Sequence, residues 1–155
     1  MNIPDHLVTQ VRDGNAIIFL GAGASRGAQT ETGTTCPTTQ VLTTQLSEKF
    51  LGGKFDSYPL NQVAEYAISE SDLVTVQTFI RSLFVGLKPT DAHLKLPRFD
   101  WYGLATTNYD TLVEDAFQAA GVNGQSLRPL IENSDRVDDQ LKDRIYFHSQ
   151  MSRLA

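Results

Sequence analysis

Residues Ala16-Ile17-Ile18-Phe19-Leu20 form an unbroken apolar run that opens into Gly21-Ala22-Gly23-Ala24-Ser25. A run this short and continuous reads as a strand buried on both faces, the pattern of a parallel sheet. A Gly-x-Gly turn straight after such a strand is how many α/β domains present backbone N–H groups to a pyrophosphate. A Cβ at either glycine would obstruct the approach of backbone to phosphate. The stretch therefore points to an α/β sheet with a phosphate-bearing ligand at its carboxyl edge. The alternative is a glycine turn that only packs strand against helix.

Composition narrows the class further. The chain has 155 residues, 41% hydrophobic and 20% charged, which fits one globular domain with a sizeable core. Its formal net charge is -5, which argues against direct binding of nucleic acid through a broad electrostatic surface. No apolar stretch approaches the roughly 18 residues of a membrane span. Met1-Asn2-Ile3-Pro4-Asp5 lacks the basic-then-apolar pattern of a signal peptide. The single cysteine, Cys36, permits neither an internal disulfide nor a multi-cysteine metal site. A cytoplasmic protein without a membrane partner is the simplest account.

Periodicity supplies the remaining elements. Residues 5 to 13 read as a short amphipathic helix with Leu7, Val8 and Val11 on one side. Residues 25 to 36, with Gly27, Gly33, Ser25 and four threonines, read as a polar flexible loop. Pro37 suits the first turn of a helix carrying Val41, Leu42, Leu46 and Phe50, which stops at Gly52-Gly53. A second helix spans about 61 to 69. A third begins near Ser71-Asp72, carries Leu73, Val76, Ile80, Leu83 and Phe84, and is ended by Gly86 and Pro89. A short helix is expected over 91 to 96, a strand over 101 to 106, and a helix with Leu112, Val113, Ala116, Phe117 and Ala120 closed by Gly121. Residues 126 to 131 read as a strand, 135 to 143 as a charged turn or helix, and Ile145-Tyr146-Phe147-His148 as a last strand. Strands separated by helices imply a mainly parallel, Rossmann-like sheet. Three helices between the first two strands exceed what one crossover needs, so residues 26 to 98 are expected to form a helical lobe beside the sheet. A cleft between lobe and sheet is a natural ligand site.

The glycine turn departs from the G-x-G-x-x-G dinucleotide fingerprint: Arg26 stands where the third glycine belongs. Glu48, about 20 residues on, falls inside a helix rather than at a strand end. A dehydrogenase of the usual kind is therefore disfavoured. So is a P-loop ATPase, since no G-x-x-x-x-G-K-[ST] is present. The second constellation is Thr106-Thr107-Asn108-Tyr109-Asp110, at a strand end where open α/β sheets bind ligands. Asn108 or Asp110 could equally serve as a helix N-cap, and Thr111 with Glu114 could form a capping box. Cap and site roles are compatible. His148 ends the last strand candidate; a lone histidine there is either a packed residue or part of the same converging edge. His6 and His93 read as structural.

Taken in order, these motifs resemble the sirtuin superfamily, most closely the SIR2-like domains of bacterial antiphage defence proteins. The carrying residues are Gly21-Ala22-Gly23-Ala24-Ser25 (family G-A-G-x-S), Pro89 and His93 (P-x-x-x-H), and Thr106 to Asp110 (T-T-N-Y-D). The resemblance covers most of residues 15 to 148. It implies that Gly21, Ala22, Gly23, Ala24 and Ser25 line the NAD phosphates. It also implies that Thr107 belongs to the cofactor site, that Asn108 holds the attacking water or the ribose, and that Asp110 contacts the nicotinamide end. His148 matches the family histidine that acts as a base toward ribose hydroxyls, although Ser149 follows it where the family carries glycine. The resemblance further implies that the fold continues beyond residue 155, through strands that bind the adenosine half of NAD.

The expected activity is hydrolysis of NAD, consumed as a substrate, to nicotinamide and ADP-ribose without a metal. The four-cysteine zinc module of sirtuins cannot be built from Cys36 alone, so protein deacylation is the weaker implication. A non-catalytic NAD or ADP-ribose sensor, or an assembly module, is the competing reading. A homo-oligomer or a regulatory protein is the expected partner, as the resemblance implies.

Overall fold

The computed structural model describes residues 3–121, 127–130 and 144–148. The chain is mixed α/β and divides into two compact units. One gathers the described residues of Met1–Ser25 and Lys88–Gln150, and the other is built on Arg26–Leu87. Among the described residues no helix is long and apolar enough to cross a membrane.

The first unit holds a parallel sheet. Strand β1 (Ile17–Leu20) follows helix α1 (Asp5–Arg12). Strands β4 (Gly103–Thr106), β5 (Leu127–Leu130) and β6 (Arg144–His148) complete a sheet of order β1-β4-β6-β5 with every pairing parallel. Helix α5 (Leu112–Ala120) joins β4 to β5. Leu104 is fully buried and clusters with Trp101, Val113 and Phe117. Val11, Ala16, Ile18, Leu20, Leu96 and Leu127 pack around them. This face of the sheet is sealed by α5 and by a 3-10 turn, His93–Arg98, whose Leu96 carbonyl accepts from the Trp101 indole N–H at 2.8 Å.

The opposite face corrects one expectation. Strand β1 is not buried on both sides: Ile17 is 48% and Phe19 79% exposed, while Ile18 and Leu20 turn inward. The apolar run alone does not separate the two cases, because Ile17 and Phe19 are as apolar as their inward neighbours. Helix α1 behaves similarly: Val11 reaches the core, but Leu7 and Val8 of its expected buried side are exposed.

The second unit is helical. Helices α2 (Thr39–Leu51), α3 (Leu60–Glu70) and α4 (Leu73–Ser82) pack on one another around Leu42, Leu46, Val63, Ala64, Ala67, Val76 and Ile80. Phe50 and Phe79 meet edge to face at 5.5 Å. Helix α2 starts after Thr38, whose hydroxyl caps the Val41 N–H, so Pro37 lies outside the helix rather than in its first turn. It ends at Gly52 in the left-handed conformation, as the Gly52-Gly53 pair predicts. Val41 turns out to be exposed, unlike Leu42 and Leu46. Helix α4 stops at Ser82, before Gly86, and Leu83 and Phe84 follow it as a turn. The loop after Ser25 is more ordered than expected. Strand β2 (Gln29–Thr30) pairs with β3 (Leu87–Lys88), and Gln29 bridges Thr35 antiparallel. The helical unit ends at Leu87 rather than near residue 98, because residues 88 to 98 cluster with the sheet. The charged segment 135 to 143 lies outside the described residues.

Helix α4 offers a pH test of its own start. The Asp72 carboxylate accepts from the Thr75 N–H at 2.9 Å and from the Thr75 hydroxyl at 2.6 Å. Those bonds hold its pKa below the ordinary 3.8. The folded state therefore binds this proton less readily than the unfolded chain. The cap's contribution is complete above about pH 3.8 and is lost as pH falls through the depressed folded value. Asp72→Asn is expected to flatten this part of the acid limb in urea midpoints measured from about pH 5 down to about pH 2.

Candidate functional site

Parallel pairing brings the carboxyl ends of three strands side by side. Leu20, the last residue of β1, is in register with Thr106, the last of β4, and Thr106 with His148, the last of β6. The Thr107 N–H donates to the Leu20 carbonyl at 3.3 Å and extends the ladder one step past the strands. The glycine turn and the Thr107–Asp110 segment leave the sheet at this edge, where β6 ends at His148.

Beyond β1 the glycine stretch forms a single 3-10 turn, Ala22–Ser25. The Ala24 N–H closes it onto the Gly21 carbonyl at 2.8 Å, so that donor is spent inside the turn. Gly21, Ala22 and Gly23 are exposed, and a Cβ built on either glycine meets nothing within 4 Å among the described residues. Neither glycine has positive φ. Neither the backbone conformation nor a described protein neighbour accounts for glycine at these positions.

Ser25 behaves differently from the rest of the turn. It is buried, and its hydroxyl faces inward onto the other motif. Past β4, the Thr106 hydroxyl accepts from the Asn108 N–H at 3.1 Å and bends the chain back. That bend buries the Asn108 and Asp110 side chains and leaves Thr107 exposed. The Asn108 Nδ2 donates to Ser25 Oγ at 2.8 Å, and Ser25 Oγ donates to Asp110 Oδ2 at 2.5 Å. Asp110 Oδ1 accepts from the Leu112 N–H at 3.2 Å.

The direction of this relay is forced. Leu112 N–H and Asn108 Nδ2 can only donate, and an ionised carboxylate can only accept. Ser25 has one proton, and it goes to Asp110. Its lone pair is then the only end available to Asn108. The amide of Asn108 is thereby fixed with its nitrogen on Ser25 and its carbonyl end turned away from it. Charge-assisted bonds of this kind are about twice as strong as neutral ones. A buried carboxylate needs such donors to remain in the fold.

The cap reading of this segment is resolved in part. Asp110 takes a cap-like bond from the Leu112 N–H while also accepting from the Ser25 hydroxyl. The Thr111–Glu114 capping box does not form: Thr111 makes no side-chain cap bond, and its hydroxyl donates to Asp115 Oδ2 at 3.0 Å. Tyr109 stays a phenol, its pKa raised by burial.

His93, read from the sequence as structural and as the histidine of the Pro89-led pattern, is a packed residue. It is 3% exposed and opens the 3-10 turn packed against α5. Its ring accepts from the Thr90 N–H at 3.2 Å through Nδ1, with the Thr90 hydroxyl 2.8 Å from the same atom. Burial lowers its pKa, and the nearby Asp110 charge opposes that shift without reversing it. Of His148 only the backbone position at the end of β6 is described. Among the described residues no group of three or more His, Cys, Asp or Glu side chains is placed to hold a metal ion. No protein-family model matches the chain, and no curated protein matches it.

Proposed function

We propose that this chain is a SIR2-like domain that hydrolyses NAD at the nicotinamide–ribose bond. The finer fold reading, a Rossmann-like sheet of sirtuin type, is part of the same proposal. The observation that carries it is the Asn108–Ser25–Asp110 relay, which ties the glycine turn after β1 to the T-T-N-Y-D segment after β4 at one sheet edge. Two segments far apart in sequence share one buried polar network where α/β sheets take their ligands. The open space around Gly21 and Gly23 fits the approach of a pyrophosphate to the backbone.

In the reaction the bond from ribose C1′ to the pyridinium nitrogen breaks, and its electron pair goes to that nitrogen, releasing neutral nicotinamide. The ribose passes through an oxocarbenium-like state. Water adds at C1′ and loses a proton. Asn108 orients that water through its amide, held at a fixed angle by Ser25 and Asp110. His148 serves as the proton acceptor toward the ribose hydroxyls, a role open to histidine because an unperturbed imidazole titrates near neutrality. Ser25 and Asp110 are thereby reassigned from phosphate and nicotinamide contacts to holding Asn108, since their polar atoms are engaged with each other.

Nicotinamide release from NAD tests this directly. The protein is expected to turn NAD over, and His148→Ala to lower the rate by about 10²–10⁴-fold, the usual worth of a general base. Tight NAD binding without turnover would replace the hydrolase with a sensor. Neither binding nor turnover would remove both readings.

A further inference from the structure

The two edges of the parallel sheet are finished differently. In the order β1-β4-β6-β5, β1 and β5 each have a neighbour on one side only among the described strands. An edge strand presents unpaired N–H and C=O groups, and charge or proline on it discourages pairing with another chain. Strand β5 carries both, as Arg128 and Pro129. Strand β1 carries neither, and residues 15 to 24 hold no charged residue and no proline. The direction of its backbone follows from the ladder. The Ala16 carbonyl accepts from the Tyr102 N–H at 2.9 Å, and the Leu20 carbonyl from the Thr107 N–H at 3.3 Å. Backbone groups alternate sides along a strand, so residues 16, 18 and 20 face β4. The N–H and C=O of Ile17 and Phe19 therefore face the open edge. Their side chains are exposed as well.

We propose that β1 is a pairing edge for a second copy of this chain, joined antiparallel about a two-fold axis through Ile18. Ile17 and the partner's Phe19 then form a hydrogen-bonded pair, as do Phe19 and the partner's Ile17, each exchanging both N–H···O bonds. The stretch is self-complementary in this register. On the outer face the β-branched Ile17 lies beside the partner's aromatic Phe19, a favourable cross-strand pair. On the inner face Ala16 falls opposite the partner's Leu20, small against large, with Ile18 on the axis. Asn15 falls opposite the partner's Gly21, a position where an added Cβ meets nothing within 4 Å. No like charges are brought together. One short stretch thus supplies both halves of every pair, which favours a second copy over an unrelated strand. The pairing runs along the edge, so the outer face above Phe19 stays uncovered. A few backbone bonds without a packed face make a weak, reversible dimer. A two-fold contact also uses up the edge and closes the assembly at two chains.

The test is sedimentation of the whole chain over a range of concentrations, where a reversible monomer–dimer equilibrium is expected. Phe19→Pro removes an N–H that faces the open edge and none that faces β4. It is expected to weaken the dimer at least about 10-fold while the sheet stays folded. Trp101 fluorescence reports folding, since Trp101 packs in the core of the sheet. If Phe19→Pro does not fold, Ile17→Pro takes its place. It removes the other edge-facing N–H, at the first residue of the strand, where proline is tolerated. Cross-linking in a Cys36→Ser background reads the register. Ile18→Cys is expected to form an intermolecular disulfide, because a non-hydrogen-bonded pair sets Cα atoms about 4.5 Å apart, within the disulfide range of about 4.4–6.8 Å. Phe19→Cys is expected not to, because its counterpart lies on the diagonal, about 7–8 Å away. A chain that stays monomeric up to about 1 mM, or a dimer unchanged in a folded Phe19→Pro, would overturn the proposal. So would growth past two chains, or Ile18→Cys cross-linking no better than Phe19→Cys. Nicotinamide release enters none of these outcomes, so the dimer and the hydrolase reading stand or fall separately.

Discussion

Asn108→Ala is expected to lower nicotinamide release by about 10²-fold or more, the scale set by losing control of a reacting group's position. The contrast that makes the result specific is Asn108→Asp. The aspartate is nearly isosteric, yet it puts an acceptor where Ser25 Oγ now receives the 2.8 Å bond from Nδ2. Ser25 has one proton, and Asp110 holds it at 2.5 Å. The new carboxylate would face the Ser25 lone pair with Asp110 behind it, and one of the two acids would have to take up a proton. Asn108→Asp is therefore expected to be as inactive as the alanine variant at neutral pH. Ser25→Ala is expected to fall between these variants and wild type, because Asn108 stays but its nitrogen loses its anchor. A buried donor or acceptor left unpaired costs about 1–3 kcal/mol, so Ser25→Ala is also expected to lower the urea midpoint. If Asn108→Ala turned NAD over at the wild-type rate while Ser25→Ala destabilised the fold, the relay would be structural and the assignment of Asn108 to the reacting water would fail.

Much of the fold was legible because helices and turns record their own geometry. Helices α2 to α4 show their period within a dozen residues, and Gly52 marks the stop because a side chain resists the left-handed conformation found there. The site was legible to the extent that each half is a strand end followed by unusual polar or glycine residues. That Ser25 would turn inward to Asp110, 85 residues away, was not legible. Nothing in G-A-G-x-S separates a serine that meets a ligand from one that meets the protein. The bond of His93 to Thr90 was not legible for a related reason: it depends on a local turn that leaves no periodic trace. The short helix expected over 91 to 96 is present as a 3-10 helix, His93–Arg98, in which Pro97 has no N–H to continue an α-helical ladder. The exposed face of β1 was illegible because burial belongs to what packs on a strand, not to the strand.

Leu104→Ala is expected to cost about 2–5 kcal/mol, the range for deleting a fully buried leucine side chain and leaving a cavity. Leu104 sits in the middle of β4 at 0% exposure, beneath Trp101, Val113 and Phe117. A domain is typically stable by only about 5–15 kcal/mol, so this one change would consume a large share of the total. Phe19→Thr on β1 is the control. Phe19 is the larger side chain, and threonine, being β-branched, suits a strand as well. At 79% exposure its loss is expected to change stability by no more than about 0.5 kcal/mol. Urea denaturation followed by Trp101 fluorescence reads both, since Trp101 belongs to the same cluster. The pair decides whether the sheet rests on one packed face. A large loss for Phe19→Thr would mean that the outer face is covered in solution. A small loss for Leu104→Ala would mean that the α5 side is not the core. The site depends on the answer, because β4 leads directly into the Thr106 bend that turns Asn108 toward Ser25. Loosening Leu104 is therefore expected to reduce nicotinamide release at temperatures where the chain is still folded, although Leu104 itself lies outside the relay.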